Sequence, residues 1–184
     1  MVVGGLAGAG KTELLRALEG AGEQVLDLEG LACHRGSAFG AIGLAPQPTH
    51  SEFARRVEER LAAADPSRPL WVEDEGPFIG SVGVPEHLQR AMAAAPVVEL
   101  RRLLADRVER LAAIYGGAEP AELLAALARM RGRLGAAAGD RAAALVRSGD
   151  VRAAVALVLP YYDATYAHRM GAAGRTTIAV AEPG

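Results

Sequence analysis

The chain has 184 residues, with 20 Lys plus Arg against 22 Asp plus Glu and a formal net charge of −2, which excludes a generally basic nucleic-acid binder. A composition 51% hydrophobic and 23% charged excludes a disordered chain. The single cysteine, Cys33, excludes an internal disulfide or a Cys-rich metal site, and no apolar run approaches the ~20 residues of a membrane span.

A single cytoplasmic domain over residues 1–184, with no membrane partner, is therefore expected. Met1-Val2-Val3 predicts a first strand, shorter than the ~5 residues usual for a buried one, as if the chain were cut near an interdomain boundary. Gly5-Leu6-Ala7-Gly8-Ala9-Gly10-Lys11-Thr12 then fits G-x-x-x-x-G-K-[ST] at every fixed position. Gly5, Gly8, Ala9 and Gly10 let backbone N–H groups converge on phosphate, Lys11 reaches the terminal phosphates, and the Thr12 hydroxyl is placed to ligate Mg²⁺. Lys11 is the only lysine, the other 19 basic residues being arginine, and a forked guanidinium cannot replace a slim ammonium inside such a loop. Leu14, Leu15 and Leu18 continue as one helical face.

Val25 to Leu28 predicts a second strand, followed by a glycine-punctuated loop. Between Asp27 and Gly40 that loop carries Asp27, Glu29, His34, Arg35, Gly36 and Ser37, a set able to wrap a second anion. Arg35 would fork its oxygens, Ser37 would donate, and His34 would act as acid, base or anion donor. Cys33 reads as a small buried residue. Thr49-x-x-Glu52 is a capping box opening a helix with Phe53, Val57 and Leu61 on one face. Pro69 to Val72 predicts a buried strand that delivers Glu73-Asp74-Glu75 at its carboxyl edge, where an acid can bind Mg²⁺ or polarise a nucleophile. Alternation puts Glu73 and Glu75 on one face and Asp74 on the other, and either face can meet the ligand.

A helix from Pro85 with Leu88 and Met92, a strand at Val97 to Leu100, helices from Leu103 onward and a last strand at Thr176 to Val180 complete the pattern. These units predict an α/β fold, a doubly wound parallel sheet of the P-loop NTPase kind, with core residues 1–116 and 174–181. Residues from about 119 to 170 are too many for one crossover and predict a helical insertion or lid. There Arg129, Arg131 and Arg133 offer a phosphate-facing edge, and Tyr161, Tyr162 and Tyr166 offer rings for a base or an apolar groove.

The loop at Gly5 to Thr12, the stretch Asp27 to Gly40 with His34-Arg35-Gly36-Ser37, Pro46-Gln47-Pro48, Val72 to Glu75 with Ile79-Gly80, and Tyr161-Tyr162-Asp163 with Tyr166 together resemble the C-terminal P-loop domain of bacterial tRNA 2-selenouridine synthase. The resemblance runs from about Gly4 to Arg169, and its specificity lies in His34 to Ser37, since thousands of proteins share the phosphate loop. It implies a transferase that replaces the 2-thio sulfur of the wobble uridine with selenium from selenophosphate. It also implies an S-geranyl intermediate made from geranyl diphosphate. The partners implied are the tRNA anticodon region, selenophosphate, geranyl diphosphate and a rhodanese, either an upstream rhodanese-like domain, which is not expected within this sequence, or a separate rhodanese chain. On this reading Lys11, His34, Arg35, Glu73 and Glu75 are the candidate catalytic residues, Thr12 and Asp74 the candidate Mg²⁺ ligands. After Glu75 the family shows a small residue and a basic one, where this chain has Gly76-Pro77. A small-molecule kinase or NTPase shares the loop, the acidic strand end and helices such as that of Arg107 and Arg110. A non-catalytic nucleotide-binding module is the third reading. Geranyl diphosphate, pyrophosphate and ATP all suit the loop.

Overall fold

A computed structural model describes residues 1–171 and 177–181, the side chains through 166. Among these, β1 (Val2–Gly5), β2 (Gln24–Leu26), β3 (Leu70–Glu73), β6 (Val97–Arg101) and β7 (Thr177–Ala181) form one sheet in the order β2-β3-β1-β6-β7, every neighbouring pair parallel. Apolar runs buried on both faces produce such strands, and Val2, Val3 and Val97 are fully buried. The strand order reverses around β1, so its carboxyl end opens on the crevice where α/β sheets bind ligands.

The helices are α1 (Lys11–Gly20), α2 (Leu28–Ala32), α3 (His50–Ala63), α4 (Glu86–Ala94), α5 (Leu104–Tyr115), α6 (Pro120–Leu134), α7 (Ala136–Arg147) and α8 (Val151–Gly171). Thr49 caps α3 by accepting from the Glu52 N–H at 3.2 Å, as its capping box predicts. None of the described helices is long and apolar enough to cross a membrane.

Three expectations change. The second strand stops at Leu26, because Asp27 leaves the ladder to cap α2, accepting from the Gly30 N–H at 2.7 Å. A two-stranded antiparallel hairpin, β4 (Phe78–Ile79) and β5 (Val82–Gly83), stands where no strand was predicted; two-residue strands carry no readable periodicity. The chain also divides into two compact units, Met1–Gly5 with Gly10–Arg101 and Ala173–Gly184, and Leu6–Ala9 with Arg102–Ala172. The helical part thus begins at Arg102 and not at about 119. The reason is α5, which packs on α8 and ties to it through Arg107 and Asp163.

Candidate functional site

Two short stretches of the sheet unit frame the phosphate loop. Gly5 ends β1, and Gly10, at φ 101°, is the N-cap of α1. With no side chain, Gly10 cannot cap the helix, so the first-turn N–H groups and the positive end of the helix are offered to an anion. Lys11 bends back and donates from Nζ to the Gly5 carbonyl at 3.1 Å, holding its ammonium at the loop. The middle of the loop lies in the helical unit. There the Ala9 N–H donates to the Leu6 carbonyl at 3.0 Å, and Gly8 has φ +78°. A Cβ on Gly8 would sit 3.0 Å from the Arg107 carbonyl oxygen and 3.1 Å from Leu111 Cγ, so that position needs glycine for space and for conformation.

Beside α1, the strand pairing Val3↔Glu73 carries the end of β3 to the loop. Thr12 Oγ1 donates to Glu73 Oε1 at 2.8 Å. Glu73 is fully buried, and its Oε2 finds no hydrogen-bond donor among the described residues. Glu29 of α2 and Glu75 bring their carboxylate oxygens within 4.8 Å of one another and of Glu73. Gly36 stands against this group at φ +65°, where a Cβ would lie 2.8 Å from Glu75 Oε2.

Burial first, then the Glu73 and Glu75 carboxylates, push Glu29 up to about 9; Lys11 opposes the shift and Asp27 adds to it. Burial likewise pushes Glu73 up to about 7, against the Thr12 hydroxyl and Lys11 and with Glu75 and Asp27. The cluster therefore holds protons near neutral pH, and a divalent cation can take their place. The donor set suits a hard cation: carboxylate and hydroxyl oxygens, one of them buried without a donor.

A carboxyl whose folded value lies above its unfolded one stabilises the fold at low pH and loses that contribution as pH rises through the folded value. The melting temperature is thus expected to fall by a few °C between about pH 5 and 9, at about 2–4 °C per kcal/mol for this size. Glu29→Gln should flatten the fall, and so should Mg²⁺. Thermal melts across that range check it, and an unchanged slope in Glu29→Gln would contradict it.

The remaining predicted residues are placed as follows. The acid beside Thr12 is Glu73; Asp74 points away by strand alternation, is buried, and its N–H donates to the Val3 carbonyl. Asp27 caps α2 with its side chain, and Glu29 joins the acidic group. Arg35 donates to the Ile42 carbonyl at 2.8 Å, and the Ser37 hydroxyl accepts from the Phe39 N–H at 3.2 Å, both closing their own loop. His34 is buried against Gly40, whose Cβ would lie 2.7 Å from its Cε1.

In the helical unit, Arg129, Arg131 and Arg133 are exposed, but they do not form one edge. Arg129 and Arg133 share a face of α6, while Arg131 turns to α7 and grips Asp140 at 2.9 and 3.0 Å. Tyr161 and Tyr162 meet edge to face at 5.5 Å, and the Tyr162 hydroxyl reaches Met130 Sδ at 3.2 Å, so these rings pack within the unit. Tyr166 is half-buried on the same helix. Gln47, in the Pro46-Gln47-Pro48 stretch, and His50, the first residue of α3, bond to the β4–β5 hairpin, a role that no local sequence pattern announces.

A model of the tRNA 2-selenouridine synthase AAA domain matches residues 1–133. The chain is 44% identical over 117 residues to tRNA 2-selenouridine synthase of Cupriavidus pinatubonensis, covering 62% of this chain and 31% of that protein. It is 38% identical over 160 residues to the protein of the same name in Cronobacter sakazakii, covering 82% of this chain and 37% of that one. With the Verminephrobacter eiseniae protein of that name it shares 35% identity, over 91% of this chain and 53% of that one. The chain spans about a third of the length of the first two relatives.

Proposed function

Since the chain belongs to the family of the tRNA 2-selenouridine synthase AAA domain, we propose that it is the phosphate-loop part of a tRNA-modifying transferase. In this reading the whole enzyme replaces the 2-thio sulfur of wobble uridine with selenium from selenophosphate, by way of an S-geranyl intermediate. The loop holds the diphosphate of the geranyl donor. The observation that carries the proposal is the family match over residues 1–133, whose phosphate loop has Lys11 at its mouth and Thr12 bonded to a buried acid.

The α1 N–H groups and Lys11 bind and orient the diphosphate, and the charge that builds on the departing pyrophosphate is met by dipoles already in place. Thr12 and Glu73, with Glu29 and Glu75 alongside, are the residues that would hold Mg²⁺. When bound, Mg²⁺ neutralises diphosphate charge. The protonated cluster is a store from which a proton can pass to a leaving group as the site fills.

The competing kinase reading uses the same loop, so the test must separate RNA from nucleotide. With a net charge of −2, RNA has to be met locally, and Arg129 and Arg133 are the exposed pair on one helix face. The double variant Arg129→Glu, Arg133→Glu is expected to weaken tRNA binding and flatten its salt dependence, since each lost phosphate contact removes about one unit of slope. Binding of geranyl diphosphate should stay near wild type. Arg131, already committed to Asp140, should matter less. Filter binding over a salt series with calorimetry on geranyl diphosphate and ATP reads this out. Lost ATP affinity with unchanged tRNA binding would favour the kinase.

A further inference from the structure

The β4–β5 hairpin is held more firmly than its size explains. An isolated two-stranded ribbon is marginal in water, and these strands have two residues each. Gln47 staples it from outside. Its Nε2 donates to the Ile79 carbonyl at 2.9 Å and to the Ala32 carbonyl, at the end of α2, at 3.1 Å. Its Oε1 accepts from the Ser81 N–H at 2.9 Å and the Ser81 hydroxyl at 3.1 Å. At the other strand, His50 Nδ1 accepts from the Gly83 N–H at 3.1 Å, and the Val84 N–H donates to the Pro77 carbonyl at 2.9 Å. Ile79 and Val82 anchor the underside, exposed by only 0% and 1%.

Ile79, Val82 and Gly83 are buried and the turn at Gly80 and Ser81 is exposed but tied to Gln47, which leaves Phe78 as the one large apolar side chain of the hairpin turned to solvent. Its ring is 64% exposed, the most exposed phenylalanine among the described residues, and lies across Gly83, whose Cβ would meet it at 3.4 Å. Phe78 follows Glu75, a member of the acidic cluster, by three residues, so the two Cα atoms lie within about 11 Å of each other. A large apolar ring on a rigid mount beside a reactive site has an obvious use. Chemistry on a base requires the base to leave its stack, and a flat apolar face offsets the stacking it loses.

We propose that the β4–β5 hairpin is a stacking platform, and that Phe78 receives the unstacked uridine of the RNA substrate beside the Glu29–Glu73–Glu75 cluster. The inference rests on the RNA-modifying reading above. A geranyl chain is the other apolar occupant, but it needs an enclosing groove, whereas one ring two-thirds exposed offers a single face.

The test uses this chain and a labelled anticodon stem–loop RNA with uridine at the wobble position, read by fluorescence anisotropy, with melting temperature as the control for folding. Stacking on one aromatic is worth ~1–3 kcal/mol per base, so Phe78→Ala and Phe78→Leu are expected to weaken RNA binding by about 5- to 150-fold. Phe78→Trp should retain it. Pyrophosphate affinity should be the same in all three variants. With 5-iodouridine at the wobble position, irradiation should link the RNA to residue 78. Wild-type RNA affinity in Phe78→Ala would overturn the platform while leaving the RNA reading standing. Loss of geranyl diphosphate binding without loss of RNA binding would assign the ring to the isoprenoid instead. If the wild-type chain bound pyrophosphate but no RNA at any salt concentration, the RNA reading would fall, and the platform with it.

Discussion

Replacing Arg107 with alanine is expected to remove about 3 kcal/mol of stability. Its side chain is 4% exposed and makes a bidentate pair with Asp163, at 2.8 and 2.7 Å, while Nη1 also donates to the Ala7 carbonyl at 3.2 Å. Removing one partner of a buried pair costs about 3–5 kcal/mol, because the other charge stays buried and unanswered. Asp163 is 26% exposed, so water recovers part of that loss and the lower end applies. At about 2–4 °C per kcal/mol the melting temperature should drop by about 6–12 °C. The double variant Arg107→Met, Asp163→Leu should recover most of it, since an apolar pair of similar volume needs no compensation. A single variant as stable as the double would show that the pair contributes little. Arg107 lies on a helix of the kind that a kinase reading also uses, and here both of its Nη groups are taken, by Asp163 and the Ala7 carbonyl.

The elements legible from sequence were those with enough residues to show a period or a fixed motif. The phosphate loop was explicit because each of its positions answers a local steric or electrostatic demand. The alternation of strands and helices gave the parallel sheet, and Thr49-x-x-Glu52 gave the start of α3 within a residue. The hairpin was invisible because its stability comes from Gln47 and His50, more than 30 residues away in the chain from their partners there. The α2 turn was hidden by Asp27, which reads equally as the end of a strand or as a helix cap. Most instructive is the loop from His34 to Ser37. Its composition suggests an anion site, while in the fold Arg35 Nη1 and the Ser37 oxygen each take a bond that closes the loop, and Gly36 brings the absence of a side chain against Glu75. Residue types announce chemistry, but only the fold decides whether that chemistry faces a ligand or a neighbouring carbonyl.

Lys11→Ala should abolish tight diphosphate binding and leave the fold in place. In the free chain Lys11 makes one hydrogen bond to the Gly5 carbonyl, worth about 1 kcal/mol, so its loss does not threaten folding. A charge-assisted contact to phosphate contributes ~1.5–3 kcal/mol, and one such contact alone gives a 10- to 150-fold loss of affinity. Lys11→Arg should fail nearly as badly, because a planar fork is too wide for a site built around a slim stem. The ammonium also faces the acidic cluster and lowers both Glu29 and Glu73. Without it, those carboxyls rise further, so the loss of stability with rising pH should steepen in Lys11→Ala. The sequence supplies an independent readout. With one lysine in 184 residues, an amine-directed reagent can mark only Lys11 and the chain's amino terminus. Bound pyrophosphate should protect Lys11 from labelling and leave the terminus reactive, as peptide mass spectrometry would report. Labelling of Lys11 at the same rate with and without saturating pyrophosphate would place the anion elsewhere, whatever the calorimetry of the alanine variant showed.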